Sequence, residues 1–198
     1  MSSIAATRVQ RELKDINSEE CSGQNIRIEL MNDQFEHLKG EIIGPPGTPY
    51  QGGKFKLSIH IPETYPFNPP KVKFETKIWH PNISSVTGAI CLDILKDQWA
   101  AALTLRTVLL SLQALLSAAE PDDPQDAVVA KQYKDNNSLF YKTAKFWAQI
   151  YAEAPGPTDT DCMDKLKKVT EMGFYRDPSL RALSSNSWNL ADALDNIG

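Results

Sequence analysis

The sequence predicts an α+β fold, in which a four-stranded antiparallel meander lies between an N-terminal helix and C-terminal helices, followed by a small three-helix bundle. Three observations support this prediction. Four apolar segments are separated by short polar or proline-rich connections, and consecutive strands joined in this way pair antiparallel. The flanking segments repeat their apolar residues at helical spacing. A Pro- and Gly-containing break at 154–160 separates a domain over 1–153 from a tail over 161–198.

The first predicted element is an amphipathic helix over about residues 5–16. Its apolar residues recur at helical spacing, as in a helix with one buried face. Three basic residues, Arg8, Arg11 and Lys14, lie on another face. Such a face is usually solvated, and contact with a partner is the alternative.

Four strands are predicted at about 26–30, 35–43, 55–61 and 72–74. The first and third alternate apolar with polar residues, which indicates sheets with one buried face. Asn32-Asp33 is predicted to form the turn between the first two strands.

The segment 78–102 fits neither the helical nor the strand period and is predicted to be a long ordered loop. Loops of this length in compact domains are more often functional. Thr104 is predicted to cap a helix that ends near Ala119 and carries an apolar stripe, from which Leu110 is displaced. Helices at about 127–135 and 138–153 complete the first domain.

The tail contains helical patterns around 162–171, 179–183 and 190–196. A domain of about 40 residues is only marginally stable, so these helices need a tightly packed core.

Composition and charge exclude several classes of function. The net charge of −4 argues against nucleic acid as a partner, because neutralising phosphates requires a basic face. No apolar run approaches a membrane span, and Met1 leads into charged residues rather than into a signal-peptide core. The three cysteines, Cys21, Cys91 and Cys162, are far apart and lack metal-ligand spacing, so we expect free thiols and no metal. A cytoplasmic protein is expected, with the nucleus as a second location.

Cys91 is the main candidate for chemistry, because it lies in the long loop. Free cysteines are more commonly buried apolar residues, and the spacing alone leaves both interpretations open.

Five motifs, taken together, resemble the ubiquitin-conjugating enzymes in order and spacing, over about residues 4–152. They are Tyr65–Pro70 (YPFNPP), His80–Asn82 (HPN), Gly88–Asp93 (GAICLD), Trp99 and Pro121–Pro124 (PDDP). The resemblance implies the ubiquitin-conjugating fold and a transferase that needs no cofactor of its own, since ATP is consumed by the activating enzyme.

The resemblance also implies roles for three residues. Cys91 would accept the C-terminal carboxyl of ubiquitin as a thioester and lose it to a lysine amine, which suits sulfur as nucleophile and leaving group. Asn82 matches the asparagine that stabilises the oxyanion, and bracing the loop is its alternative role. Asp123 matches the acidic residue that positions the acceptor lysine. His80 is expected to hold the loop together rather than to transfer protons.

Partner surfaces follow from the same resemblance. Arg8, Arg11 and Lys14 would contact the activating enzyme. Phe67, together with Ala101 in the loop after Trp99, would contact a ubiquitin ligase, although many relatives have proline at the position of Ala101. Leu110 would pack against the thioester-linked ubiquitin, and a singly exposed leucine is also normal.

The tail resembles a ubiquitin-associated domain through Met172, Gly173 and Phe174. These residues would bind ubiquitin, with packing in the bundle core as the alternative. Asn196-Ile197 stands where the family often has two leucines. A catalytic domain with this tail implies an enzyme that assembles polyubiquitin chains, acts as a monomer, and has ubiquitin, activating enzyme, ligases and substrate proteins as partners. A noncatalytic ubiquitin-binding adaptor and an enzyme for another ubiquitin-like modifier are the alternatives.

Overall fold

The computed structural model describes residues 1–18 and 23–197, so Cys21 lies outside the described residues. The predicted α+β fold is confirmed. In chain order the elements are α1 (Ser3–Ile16), β1 (Ile26–Met31), β2 (Gln34–Ile43), β3 (Lys54–His60), β4 (Lys71–Phe74), α2 (Leu105–Ser117), α3 (Ala127–Asp135), α4 (Asn137–Tyr151), α5 (Thr160–Glu171), α6 (Arg176–Ser185) and α7 (Leu190–Asp195), with a 3-10 turn at Asp93–Leu95. None of these helices has the length and apolar character needed to cross a bilayer.

The sheet is an antiparallel meander in the order β1-β2-β3-β4. Asn32 and Asp33 form the connection between β1 and β2 with φ angles of 52° and 56°, as a two-residue hairpin turn requires. Alternate side chains point inward, so Leu38 lies opposite Ile59 and both are buried. One face of the sheet is therefore available for packing against helices.

Helix α2 covers this inner face. The Thr104 hydroxyl accepts a hydrogen bond from the Thr107 backbone N–H at 3.2 Å and begins the helix as predicted. The whole predicted stripe is buried: Leu105, Val108, Leu109, Leu112, Leu115 and Leu116. Leu110 lies beside this stripe and is half-buried.

The tail helices share a hydrophobic core with the first domain. Trp188, from the tail, is 3% exposed, packs edge-on against Phe146 of α4 at 5.4 Å between ring centroids, and donates its indole N–H to Thr143 Oγ1 at 2.9 Å. Trp147, also of α4, donates its indole N–H to Ser184 Oγ of α6 at 2.8 Å. The tail bundle therefore completes its core against α4.

The segment 154–160 is held along this junction by polar contacts. Gln149 of α4 donates to the backbone carbonyl of Pro157 at 3.0 Å, and Lys142 lies 3.4 Å from the Asp159 carboxylate. Asp159 in turn caps α5 by accepting from the Cys162 backbone N–H at 2.9 Å. The segment lies along α4 as an ordered strap.

Candidate active site

Cys91 lies in the long loop, directly before the 3-10 turn at Asp93–Leu95. Its backbone N–H donates to the Asn82 carbonyl at 2.9 Å, which ties the two halves of the loop together. Gly88 makes the approach of this loop to β4 possible, because its φ is +75° and a Cβ there would lie 2.0 Å from the Phe74 carbonyl oxygen. The backbone that carries Cys91 is therefore held against the edge of the sheet, while its side chain is only half-buried.

Two charged side chains flank the thiol. Cys91 Sγ donates to Asp123 Oδ2 at 3.4 Å, and Lys96 Nζ donates to Sγ at 3.5 Å. Partial burial, followed by the hydrogen bond to Asp123, raises the pKa of the Cys91 thiol, and the charge of Lys96 opposes that shift. The cysteine is thus a thiol at neutral pH, hydrogen-bonded to the Asp123 carboxylate.

Asn82 is fixed by three hydrogen bonds to the loop that carries Asp123. Its Nδ2 donates to the carbonyls of Glu120 and Asp123, both at 2.9 Å, and its Oδ1 accepts from the Glu120 N–H at 2.9 Å. The residue is 1% exposed. Both hydrogens of the Asn82 amide are therefore used in bracing the loop. To donate to an oxyanion, the amide would have to break its hydrogen bond to one of the two carbonyls.

His80 joins the same loop to α2. Its Nδ1 accepts from the Asn82 backbone N–H at 3.0 Å, so its Nε2–H donates to the Leu115 carbonyl at 2.9 Å. Burial lowers the pKa of His80 to about 4, and the ring stays neutral at physiological pH. Within residues 1–18 and 23–197, no three His, Cys, Asp or Glu side chains are grouped as a metal site requires.

The N-terminal end of α3 fastens the loop carrying Asp123 to the HPN motif. The backbone N–H groups of Gln125 and Asp126 both donate to the Pro81 carbonyl, at 2.9 and 3.0 Å. The Asp126 carboxylate accepts from Ser85 Oγ at 2.6 Å. The sequence motifs HPN and PDDP, which are separated by about 40 residues, thus form one hydrogen-bonded unit around Cys91.

The three basic residues of α1 have different environments. Arg8 donates to the carbonyls of Ala101 and Leu103 at 3.0 and 2.9 Å, and its Nε lies 3.3 Å from Glu12. Arg11 and Lys14 are exposed. Only Arg11 and Lys14 present their charges to solvent, whereas Arg8 connects α1 to the loop after Trp99.

Phe67 and Ala101 lie in two loops that Trp99 ties together. The Trp99 indole N–H donates to the Pro66 carbonyl at 2.8 Å. Phe67 is 70% exposed, and Ala101 is half-buried. The large exposed apolar ring of Phe67 thus lies on a loop that Trp99 holds in place, as a docking surface would need.

A buried carboxylate, Glu12, lies beneath these loops and was not predicted as functional. It accepts from the Tyr65 hydroxyl at 2.5 Å and from the Leu105 backbone N–H at 2.8 Å, and is 4% exposed. Its position within the apolar stripe of α1, three residues after Val9, was the signal that it is buried. Glu12 joins α1, the Phe67 loop and the start of α2. Lys96 was also missed, since only the folded loop brings it to Cys91.

The tail residues named from the sequence lie at the surface. Met172 is 57% exposed and Phe174 39% exposed, so they do not fill the bundle core. Gly173 has a φ of +100°, a conformation that glycine adopts without strain. The adjacent Tyr175, which the sequence did not single out, is 85% exposed and extends this apolar patch. Ile197 packs partly against the core.

Comparison with known proteins gives a consistent result. The family model described as "Ubiquitin-conjugating enzyme" matches residues 8–148. "Ubiquitin-conjugating enzyme E2 K" of Homo sapiens is 61% identical over 196 residues, which cover 98% of this chain and 98% of that protein. "Ubiquitin-conjugating enzyme E2-22 kDa" of Drosophila melanogaster is 60% identical over 198 residues, covering 100% of this chain and 99% of that one.

Solved structures resemble about three quarters of the chain. A ubiquitin-conjugating enzyme E2 domain from Toxoplasma gondii is 52% identical with a TM-score of 0.70, and the match covers 74% of this chain and 98% of that one. A putative ubiquitin-conjugating enzyme from Plasmodium yoelii is 57% identical with a TM-score of 0.72, covering 79% and 99%.

Proposed function

The chain belongs to the ubiquitin-conjugating enzyme family, and from this premise we propose that Cys91 carries ubiquitin as a thioester and transfers it to lysine amines. The observation that carries the proposal is the contact of 3.4 Å between the Cys91 thiol and the Asp123 carboxylate, on loops braced by Asn82. The match to enzymes along 98% of the chain favours catalysis over an adaptor function.

In the loading step, Cys91 attacks the thioester that joins ubiquitin to the activating enzyme. A C–S bond forms to Cys91, the C–S bond to the activating enzyme breaks, and the departing thiolate takes up a proton. The proton that Cys91 gives up is the one that the departing thiolate takes up, passed through water, so Asp123 is not required in this step. The cationic Lys96, 3.5 Å from the sulfur, favours the thiolate form as it develops.

In the discharge step, a lysine amine attacks the thioester carbonyl, and Cys91 leaves as the thiolate. After loading, the thiol proton is gone, so the Asp123 carboxylate is free to orient the incoming ammonium and to accept a proton from it. Asn82 supports this step by holding the loop that carries Asp123. Direct stabilisation of the oxyanion by Asn82 would add to this role, after the amide releases a carbonyl.

The exposed residues of the first domain provide the partner surfaces in this proposal. Arg11 and Lys14 contact the activating enzyme, and Arg8 holds their helix to the loop at Ala101. Phe67 and Ala101 face the ligase. Leu110, half-buried beside the core stripe of α2, packs against the thioester-linked ubiquitin.

Residues 161–198 serve as a ubiquitin-associated domain behind the catalytic domain 1–153 and the linker 154–160. Met172, Gly173 and Phe174 form its ubiquitin-binding patch, supported by their exposure. Ubiquitin held there raises the local concentration of acceptor and favours growth of polyubiquitin chains.

We propose that the enzyme acts as a monomer, since Asp123, Lys96 and Asn82 reach Cys91 and its loops from the same chain. It works in the cytoplasm and also in the nucleus, which suits the free thiols of Cys91 and Cys162. Sedimentation analysis and imaging of the tagged protein test these two points.

Incubation with activating enzyme, ATP and ubiquitin should give an adduct that thiol reductant cleaves. Cys91→Ser should give a slowly formed, reductant-resistant ester instead. Cys162→Ala is the matched control, because Cys162 is buried and its pKa is raised to about 12, so the wild-type adduct should persist. A reductant-sensitive adduct that survives Cys91→Ser would refute the proposal.

A further inference from the structure

A hydrogen-bonded path connects the tail helix α6 to the residue that precedes the HPN motif. The Trp79 indole N–H donates to Gln132 Oε1 of α3 at 2.8 Å. Gln132 Nε2 donates in turn to the backbone carbonyl of Ser184 at 3.1 Å. A single side chain thus touches both the start of the active-site loop and the tail.

The contacts of Gln132 determine the orientation of its amide. An indole N–H can only donate and a carbonyl can only accept, so Oε1 must face Trp79 and Nε2 must face Ser184. Glutamate at this position could still accept from Trp79, but it would have no hydrogen for the Ser184 carbonyl. Position 132 therefore requires an amide to satisfy both neighbours.

The groups at both ends of this path are rigidly packed. Trp79 and Ser184 are fully buried, and Trp147 packs against Trp79 with 5.0 Å between ring centroids. The carbonyl of Trp79 also accepts from the Tyr50 hydroxyl at 2.7 Å. A shift of the tail would consequently displace Trp79, because these groups are closely packed.

Helix α3, which carries Gln132, also contacts the active-site loops directly. Gln132 lies in the middle of α3, and the residues at the start of α3, Gln125 and Asp126, bind the Pro81 carbonyl. Asp123 lies in the loop just before this start and contacts Cys91. Helix α3 is thus attached to the tail at one point and to both catalytic loops at others.

We propose that Gln132 is a positioning residue that couples the docked tail to the active site, and that it maintains the geometry needed for transfer of ubiquitin from Cys91 to lysine. The proposal rests on the proposed function of Cys91. Loading depends on the thiol and on surfaces of α1, whereas discharge depends on the loop carrying Asp123. Loss of the coupling therefore slows discharge and leaves loading intact.

The test compares full-length Gln132→Glu with wild type. Each protein is loaded with ubiquitin, the activating enzyme is stopped, and discharge is followed in a single turnover over a range of free lysine concentrations. Gln132→Glu should discharge two- to tenfold more slowly at saturating lysine, the factor equal to about 0.4–1.4 kcal/mol and typical of one hydrogen bond. Its loading rate should equal that of wild type.

Two control variants separate positioning from loss of stability. Gln149→Glu removes an amide donor from a carbonyl of the linker, that of Pro157, without touching Trp79, so its discharge should match wild type. Ile28→Val removes a buried methylene in β1, and should lower thermal stability without slowing discharge. If Gln132→Glu does not fold, the uncharged Gln132→Met takes its place in the same measurement.

The outcomes distinguish the two proposals. Normal loading with wild-type discharge in the Gln132 variant would overturn the coupling alone. Equal slowing in Ile28→Val or Gln149→Glu would also overturn it, because the effect would then be general. Failure of wild-type Cys91 to load would overturn the proposed function, and the coupling with it.

Discussion

Replacing Asn82 by alanine should reduce both the stability of the fold and the rate of ubiquitin discharge. The sequence alone left open whether this residue stabilises an oxyanion or braces its loop. In the structure, the side-chain amide makes three hydrogen bonds to Glu120 and Asp123 and is 1% exposed. The brace is therefore present before any substrate binds.

The size of the stability loss follows from these contacts. Each hydrogen bond contributes about 0.5–1.5 kcal/mol net, so losing three should cost about 2–4 kcal/mol. For a chain of this length, that corresponds to a fall of roughly 5–15 °C in the midpoint of thermal unfolding. Removal of a pure oxyanion donor would instead slow discharge by about 100- to 1,000-fold and leave the midpoint unchanged.

Asn82→Asp provides the matched comparison. Aspartate keeps the shape and the acceptor for the Glu120 N–H, but it loses the two donors to the carbonyls of Glu120 and Asp123. Thermal unfolding and single-turnover discharge to lysine are measured on both variants, with loading at Cys91 as the internal reference. If Asn82→Ala discharges slowly but unfolds at the wild-type temperature, the assignment of Asn82 as a brace is refuted.

Three further predictions concern buried groups. The low pKa of His80, about 4 against an ordinary 6.5, means that the unfolded chain binds the proton more tightly. The contribution of His80 to the free energy of unfolding is therefore full above about pH 6.5 and declines by about 2–3 kcal/mol as the pH falls toward 4. Urea titrations across this range should therefore show a flatter pH dependence for His80→Gln, and an equal slope in both proteins would contradict the reasoning. Glu12→Gln should weaken ligase-stimulated discharge, because Arg8 loses its buried partner and releases the Ala101 carbonyl. Asp15→Asn, on the exposed side of the same helix, should leave ligase-stimulated discharge unchanged. An equal response to the ligase in both variants would exclude a link between Glu12 and the ligase surface. Trp188→Ala should lower the free energy of unfolding by about 3–5 kcal/mol and shift a single cooperative thermal transition to lower temperature. Two separated transitions would instead show that the tail folds independently of the first domain.

Local signals made most elements predictable. The turn at Asn32-Asp33, the Thr104 cap and the leucine stripe of α2 each depend on neighbouring residues, and each lies where the sequence predicted it. The approach of Asp123 to Cys91 was expected only because the order of motifs resembles a known family. The two residues are 32 positions apart in the sequence, so no helical or strand periodicity predicts their contact.

The contacts that depend on long-range packing were not predictable. Gln132 appears in the sequence as an ordinary polar residue of an amphipathic helix, yet its amide bridges Trp79 and Ser184. Trp147 and Trp188 could have belonged to two separate cores. Their indole N–H groups instead find partners across the junction, which depends on how the tail packs against α4.

The interlocked tryptophans determine how the molecule should respond to a cut in the backbone. Cleavage at Gly156 would sever the chain but leave Trp147 bonded to Ser184 and Trp188 seated on Phe146, so the two fragments should stay associated and co-elute. A peptide spanning only the last helices would lack the surface of α4 against which Trp188 is buried, and it should be loosely packed or aggregate. Grafting this tail onto an unrelated enzyme would therefore require transplanting the matching surface of α4 as well.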